Sequence, residues 1–376
     1  MDTIHRGFAS PRDGLDDVIA DVIVGQRVAV AASRFIDAFG PSLAPGMREV
    51  LGTRNVHDTP ACVGWAPPFS MLEHRVARSA RAAASVYAAD AALALHAAGT
   101  AGEWPFAFET PARLRFDRFI LPPTVRGSVA ASDGQVVITA GDRDFAFARL
   151  RDGWTSCDVH DDVLPRINGV TFVNAAALDD RDDGVIPCPL IAADNEVLAS
   201  WQAAFDLIRR VSPHYRLWVA RVIRFILPLD AQPGAMVNGS QGHRWGEVHM
   251  SSKLDPLMHA EMLVHEASHQ HYFLAESLGP VSDGTDPTLY YSPLVREQRP
   301  VERILLAYHA VANILLFYDD YEAAGGEIRP FFTRNRAQLR AELEQLAPPL
   351  RTNRGLSDIG HAMWQPLDAA LSKEWA

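Results

Sequence analysis

"LDPLMHAEMLVHEASHQHYFLAESLG", Leu254 to Gly279, decides how the rest of the chain is read. Asp255 followed by Pro256 makes a helix start: a carboxylate suited to capping, then a residue whose fixed φ and missing N–H suit the first turn. Apolar residues recur at helical spacing as far as Gly279, which predicts one helix across the stretch. Within it "HEASH" sets His265 and His269 four apart, with Glu266 after the first. At about 100° per residue Glu261, His265, His269 and Tyr272 share a face, so two imidazoles from adjacent turns can meet one cation. Glu266 lies about a quarter turn away, and Ala267 and Ser268 are small enough to let another element approach. The blander reading is a helix with satisfied polar residues. The spacing, the intervening glutamate and the apolar flank "EMLV" together weigh against it, but HExxH alone is only moderately specific and a third ligand is needed.

Downstream lies "REQRPVERILLAYHAVANILLFY", Arg296 to Tyr318. Pro300 suits a first helical turn, and the remainder reads as an apolar helix to about Tyr318. Glu302, His309 and Asn313 stand at i, i+7 and i+11, one polar stripe. Such a stripe needs partners, because a buried polar group left unpaired costs about 1–3 kcal/mol. Either it is an internal hydrogen-bond network, or His309 or Glu302 completes a three-ligand site with His265 and His269.

A zinc peptidase would use Glu266 as general base on a metal-bound water. Each peptidase subclass fails at its second signature. The extended metzincin motif wants glycine three residues past the second histidine, where Tyr272 stands. A gluzincin would take Glu302, but "VERILL" lacks the companion acidic residue. "GTDPTLYY" from Gly284 resembles an aspartate-ligand motif with Asp286 one place early, and His271 occupies a position usually apolar in peptidases. Ligands that leave adjacent positions open are equally what a non-haem iron oxygenase requires.

Composition narrows the class. At 376 residues and 48% hydrophobic content the chain can bury a core, with a soft prior of two domains. A net charge of -11 with no basic stripe argues against nucleic acid. The longest apolar run considered, "RLWVARVIRFILPL", is broken by Arg221 and Arg224, and "MDTIHRGFASPRDGLDD" has no apolar signal-peptide core, so a soluble, cytoplasmic protein with no membrane partner is expected. Cys62, Cys157 and Cys188 never form a CxxC pair and read as buried small hydrophobes.

Leu15 to Phe39 and Glu73 to Gly99 each carry helical periodicity, whereas about Ala112 to Val173 is β-rich, with hairpin turns at Asp133-Gly134 and Asp152-Gly153. "ALDDRDDGVIPCP" lacks calcium-loop spacing and reads as a solvated turn. A helix follows from about Asn195 to Arg210, and "YRLWVARVIRFILPL" is rich enough in β-branched residues to predict a buried strand. The expected fold class is α+β, mostly helical with a β-rich middle. Its expected division is a helical region 1–110, a β-rich region 111–190 and a metal-binding domain 191–376.

The order "GEVHMSS", "HAEMLVHEASHQHYFL", "YYSPLVREQRP" and an apolar helix resembles the HExxH-containing peptide-modification proteins of ribosomal peptide biosynthesis, most closely over Gly246 to Tyr318. The resemblance implies a non-cupin 2-oxoglutarate- and iron(II)-dependent peptide β-hydroxylase that uses O2, with iron rather than zinc at His265 and His269, and a precursor peptide as partner. His309 is then the preferred third ligand, with Glu302 the alternative. The distal carboxylate of 2-oxoglutarate calls for a guanidinium, for which Arg299 comes first and Arg296 second, with Tyr290, Tyr291 and Ser292 as hydroxyl donors. Glu266 then orients a ligand or the peptide. "WGEVHMSS" is expected to be a sheet edge beside a zincin-like metal-binding helix, where an extended peptide adds by main-chain pairing and His249 faces the site. Zinc hydrolysis and a non-catalytic peptide-binding module with a structural metal remain the alternatives.

Overall fold

The structure is a computed structural model that describes residues 6–13, 17–78, 83–150, 153–157, 162–175 and 186–372. Helix outweighs strand, 52% to 21%, and the two are arranged as an α+β fold.

Five α-helices from Asp17 onward come first among the described residues: α1 (Asp17–Phe39), α2 (Pro45–Leu51), α3 (Ala61–Gly64), α4 (Pro67–Ala77) and α5 (Ala84–Ala98). The single helix expected from Glu73 to Gly99 is two. Ala83 stands at φ +58°, in the left-handed region, so the helical path is broken before α5 begins. Gly99, at φ +112°, ends α5 as its sequence position predicts.

Strands β1 (Gly102–Ala112), β2 (Arg115–Phe116), β3 (Phe119–Ile120), β4 (Thr124–Ser132), β5 (Gln135–Ala140), β6 (Arg143–Leu150) and β7 (Gly153–Ser156) follow. Five of them form a sheet in the order β1-β4-β5-β6-β7, antiparallel throughout. Asp133 and Gly134 take φ +46° and +76° at the β4–β5 turn, the double positive φ of a tight hairpin. β1 buries Trp104, Phe106 and Phe108 on alternate positions, and packs on α2 and α5. Asp152 and most of the aspartate-rich "ALDDRDDGVIPCP" lie outside the described residues.

A second sheet is mixed. β8 (Arg166–Ile167) and β9 (Val170–Phe172) precede α6 (Asn195–Val211) and α7 (Pro213–Val222); then come β10 (Phe225–Leu229), β11 (Asn238–Ser240) and β12 (Glu247–Ser251). The order is β11-β12-β10-β9-β8, with β9, β10 and β12 parallel, β8 antiparallel to β9 and β11 antiparallel to β12. Two expectations change here. "YRLWVARVIRFILPL" is not one strand: Pro213 starts α7, and Tyr215, Trp218, Val219 and Val222 are buried at i, i+3, i+4 and i+7 before the chain extends into β10. β12 is not an edge either. β11 pairs outside it, and a Cβ at Gly239 would stand 2.5 Å from His249 Nε2, so a larger residue there would have to displace that ring.

β12 leads into α8 (Pro256–Ala275), followed by the hairpin β13 (Tyr290–Ser292) and β14 (Glu297–Arg299), then α9 (Val301–Ala323), α10 (Pro330–Thr352) and α11 (Asp358–Ser372). Asp255 caps α8 through the Leu257 N–H. α6, α7, α9 and β11 all pack on α8, and 15 of its 20 residues are buried, so it forms the axis of this half of the molecule. α9 is long and apolar enough to cross a membrane by composition, yet 78% of its most apolar window is buried against neighbouring elements, which makes it a core helix. One continuous apolar core runs from Phe8 to Leu371. Cys62 and Cys157 are exposed and Cys188 half-buried, contrary to the expectation of buried thiols; all three are free.

Candidate metal centre

α8 carries the donors. His265, Glu266 and His269 bring one ligand atom each within 4.8 Å of one another. The imidazole centroids are 4.6 Å apart with their planes nearly perpendicular, as successive turns of one helix face allow. Both imidazoles are half-buried. Burial lowers His265 to about 4 and takes His269 well below its ordinary value, so both rings are neutral, the form that ligates metal.

Glu266 is fully buried. Asn238 of β11 donates to its Oε1 at 2.5 Å, and its Oε1 lies 3.9 Å from His265 Nε2. Burial pushes the carboxyl up to about 7, against the lowering influence of Ser240 and Asn238. Glu266 Oε2 and His269 Nδ1 are buried with no partner among the described residues. Two orphaned polar atoms beside two neutral imidazoles are what a cation would satisfy, so the residues fit a metal ion.

Neither expected third ligand, His309 or Glu302, falls within the same 4.8 Å grouping among the described residues. His309 is fully buried, but its Nε2 donates to the Phe8 carbonyl at 2.9 Å, and its ring lies against Trp218, which also stacks on His271. His309 nonetheless stands near enough to His269 to depress it electrostatically, and its Nδ1 is buried with no partner among the described residues. Asn313 donates to the Ala9 carbonyl and accepts from Tyr215, which makes the polar stripe of α9 a clamp on the amino-terminal segment. Glu302 sits one turn past the cluster, where its backbone carbonyl accepts the Tyr272 hydroxyl at 2.9 Å.

A cleft of about 290 Å³ opens over His265, walled by Met236, Asn238, Glu261, Met262, Leu294, Gln338 and Glu342. Among the described residues no lysine or arginine lines it. Arg299 donates to Glu297 at 2.8 Å and buries an Nε without partner among the described residues, while Arg296 stands at φ +57° and closes the β13–β14 turn on the Ser292 carbonyl. Ser292 is buried and Tyr291 exposed. These four residues share a hairpin with Leu294 and are not themselves in the cleft wall. His249 faces a separate small pocket with Arg244 and Glu247.

Sequence reading misses Asn238 with its partner, the partners of Glu261, and the helix that supplies Gln338 and Glu342. Asn238, in "VNGS", carries a local turn signal and no mark of its partner on α8. Glu261 is held by the Tyr318 hydroxyl at 2.5 Å and by Asn335 at 2.8 Å to both oxygens, tying α8 to α9 and α10. Burial nonetheless raises its carboxyl above the ordinary range. Gln338 and Glu342 come from a helix that carries no motif at all.

Compared with known proteins, the chain matches no family model and no curated protein.

Proposed function

We propose that the chain is a cytoplasmic iron(II)- and 2-oxoglutarate-dependent hydroxylase acting on the β-carbon of a residue in a ribosomally made peptide, with His265, His269 and Glu266 as its metal donors. One observation carries this: two imidazoles and one carboxylate offer a ligand atom each within 4.8 Å of one another. Zinc hydrolysis needs three protein ligands and a separate general base, four roles in all. If Glu266 serves as base, one ligand is missing; if it serves as ligand, the base is missing. Two imidazoles and one carboxylate with open positions are instead a sufficient set for non-haem iron.

Iron bound there supplies oxygen activation: with O2 and 2-oxoglutarate, one oxygen atom enters a peptide C–H bond to give C–OH, and the other ends in succinate with loss of carbon dioxide. The chain's own residues do the rest. Asn238 fixes Glu266 so that its second oxygen is free to ligate. The outer side of β11 is unpaired in the sheet, and an extended peptide added there would run beside the cleft. Arg299 would hold the distal carboxylate of 2-oxoglutarate by giving up Glu297, with Arg296, Tyr291 and Ser292 on the same hairpin.

A second reading, a zinc metallopeptidase, is favoured by the Glu266 carboxyl standing at about 7, well suited to proton transfer at neutral pH. Anaerobic reconstitution with iron(II) followed by 2-oxoglutarate separates the two. Hydroxylation predicts a visible charge-transfer band, and on admission of oxygen a candidate peptide gains one oxygen in mass. Cleavage of the peptide by the zinc form without cosubstrate would overturn the proposal.

A further inference from the structure

We infer that the cleft over His265 selects a peptide carrying a lysine or arginine side chain next to a large apolar one, with Glu342 reading the cation and the β13–β14 hairpin receiving the apolar neighbour. This rests on the reading that the cleft receives the substrate.

The charge of the cleft is one-sided. Its ionisable wall residues besides His265 are Glu261 and Glu342. Glu261 is saturated by Tyr318 and Asn335. Glu342 is not: one oxygen accepts the Gln338 amide at 2.9 Å, and no cation pairs with it among the described residues. A half-buried carboxylate at the rim of a cleft without lysine or arginine attracts a cationic side chain and repels an anionic one.

The second observation is independent of charge. Leu289, Tyr291, Leu294 and Val295 expose 56%, 46%, 36% and 50% of their surface, four large apolar side chains within seven residues. Other exposed large apolar residues are scattered along the chain. Exposed large apolar side chains grouped this closely on one hairpin mark a binding surface, and the group reaches the cleft through Leu294, which lines it. Hairpin and Glu342 flank the same opening, so an extended peptide that presents its reactive residue near His265 can lay one side chain on each.

Fluorescein-labelled Gly-Gly-Lys-Leu-Gly-Gly, its Glu-Leu counterpart and its Lys-Ser counterpart, titrated by anisotropy against the full chain, test this. The Lys-Leu peptide is expected to bind at least about fivefold more tightly than Glu-Leu, the discrimination of a single rim ion pair. Glu342→Gln should erase that preference and Glu342→Lys should invert it. Leu294→Ser should weaken Lys-Leu and leave Lys-Ser unchanged. Urea unfolding midpoints establish that each variant is folded. Equal binding of all three peptides, no binding of any, or an unchanged order in Glu342→Lys overturns the inference. Metal content is read separately by atomic emission. If the histidines hold no metal while the charge preference persists, the hydroxylase reading falls and the cleft selectivity stands. If iron binds and the charge preference is absent, the selectivity falls and the hydroxylase reading stands.

Discussion

Glu266→Gln is the most informative single substitution, because the carboxyl is fully buried with only one oxygen paired. Burial raises it from 4.5 to about 7. The folded metal-free protein therefore holds this proton more tightly than the unfolded chain does. The associated stability is complete below pH 4.5 and is lost as the pH rises through 7. Between pH 5 and pH 8 that loss amounts to about 2.5 kcal/mol. The histidines work in the opposite sense. His265 is depressed to about 4, so its contribution is present above 6.5 and disappears as the pH falls toward 4. A wild-type curve mixes the two, but the difference between wild type and Glu266→Gln isolates the carboxyl. Urea unfolding of the chelator-treated proteins can be followed by the fluorescence of the eight tryptophans. The glutamine variant should gain about 2.5 kcal/mol relative to wild type from pH 5 to pH 8. A difference that stays flat across that range would refute the buried, half-paired carboxyl.

Three other outcomes follow from the same geometry. His265→Ala and His269→Ala should each abolish stoichiometric metal binding measured by atomic emission, whereas His309→Ala should leave it intact and lower stability by about 2–4 kcal/mol, since the Phe8 carbonyl loses its donor and a cavity opens in the core. On the proposed function, Arg299→Ala should raise KM for 2-oxoglutarate at least about tenfold without moving KM for the peptide, and Arg299→Lys should not restore it, because an ammonium cannot reproduce a two-pronged grip on a carboxylate. Tyr318→Phe should cost about 1–3 kcal/mol in urea unfolding, since the buried Glu261 keeps Asn335 and loses its hydroxyl donor.

The His265–His269 pair is legible in the sequence because its information is local. His265 and His269 are spaced by helix geometry, and Asp255-Pro256 announces the helix that holds them. The hairpin at Asp133-Gly134 is legible for the same reason. What the sequence conceals is which element packs where. The i, i+7, i+11 stripe of Glu302, His309 and Asn313 demands partners, but the partners of its two buried members are the Phe8 and Ala9 carbonyls, some 300 positions earlier in sequence. No local rule ranks those carbonyls above a metal. β12 reads as an edge because the three-residue β11 that covers it contains an Asn-Gly pair and itself reads as a turn. Tyr215 to Val222 reads as strand only when β-branched content is weighed above period: the buried positions there repeat every three to four residues.

All three donors coming from a single turn and a half of α8 has a structural consequence. A site assembled from distant segments depends on the whole fold for its geometry, whereas here the donor positions are fixed by helix parameters and by the elements that bury α8 on several sides. The cleft walls come from elsewhere: Asn238 from β11, Leu294 from the β13–β14 turn, and Gln338 and Glu342 from α10. The division separates two kinds of change. A substitution at Glu342 or Leu294 alters the cleft without touching the His265–Glu266–His269 cluster, while Glu266 belongs to both sets, since Asn238 of the wall holds its first oxygen and its second has no partner among the described residues. On the proposed function, Asn238 is therefore the residue through which a substrate lying along β11 would be felt at the metal. Removing its amide should alter metal affinity and peptide affinity together, an effect that Glu342 substitutions should not produce.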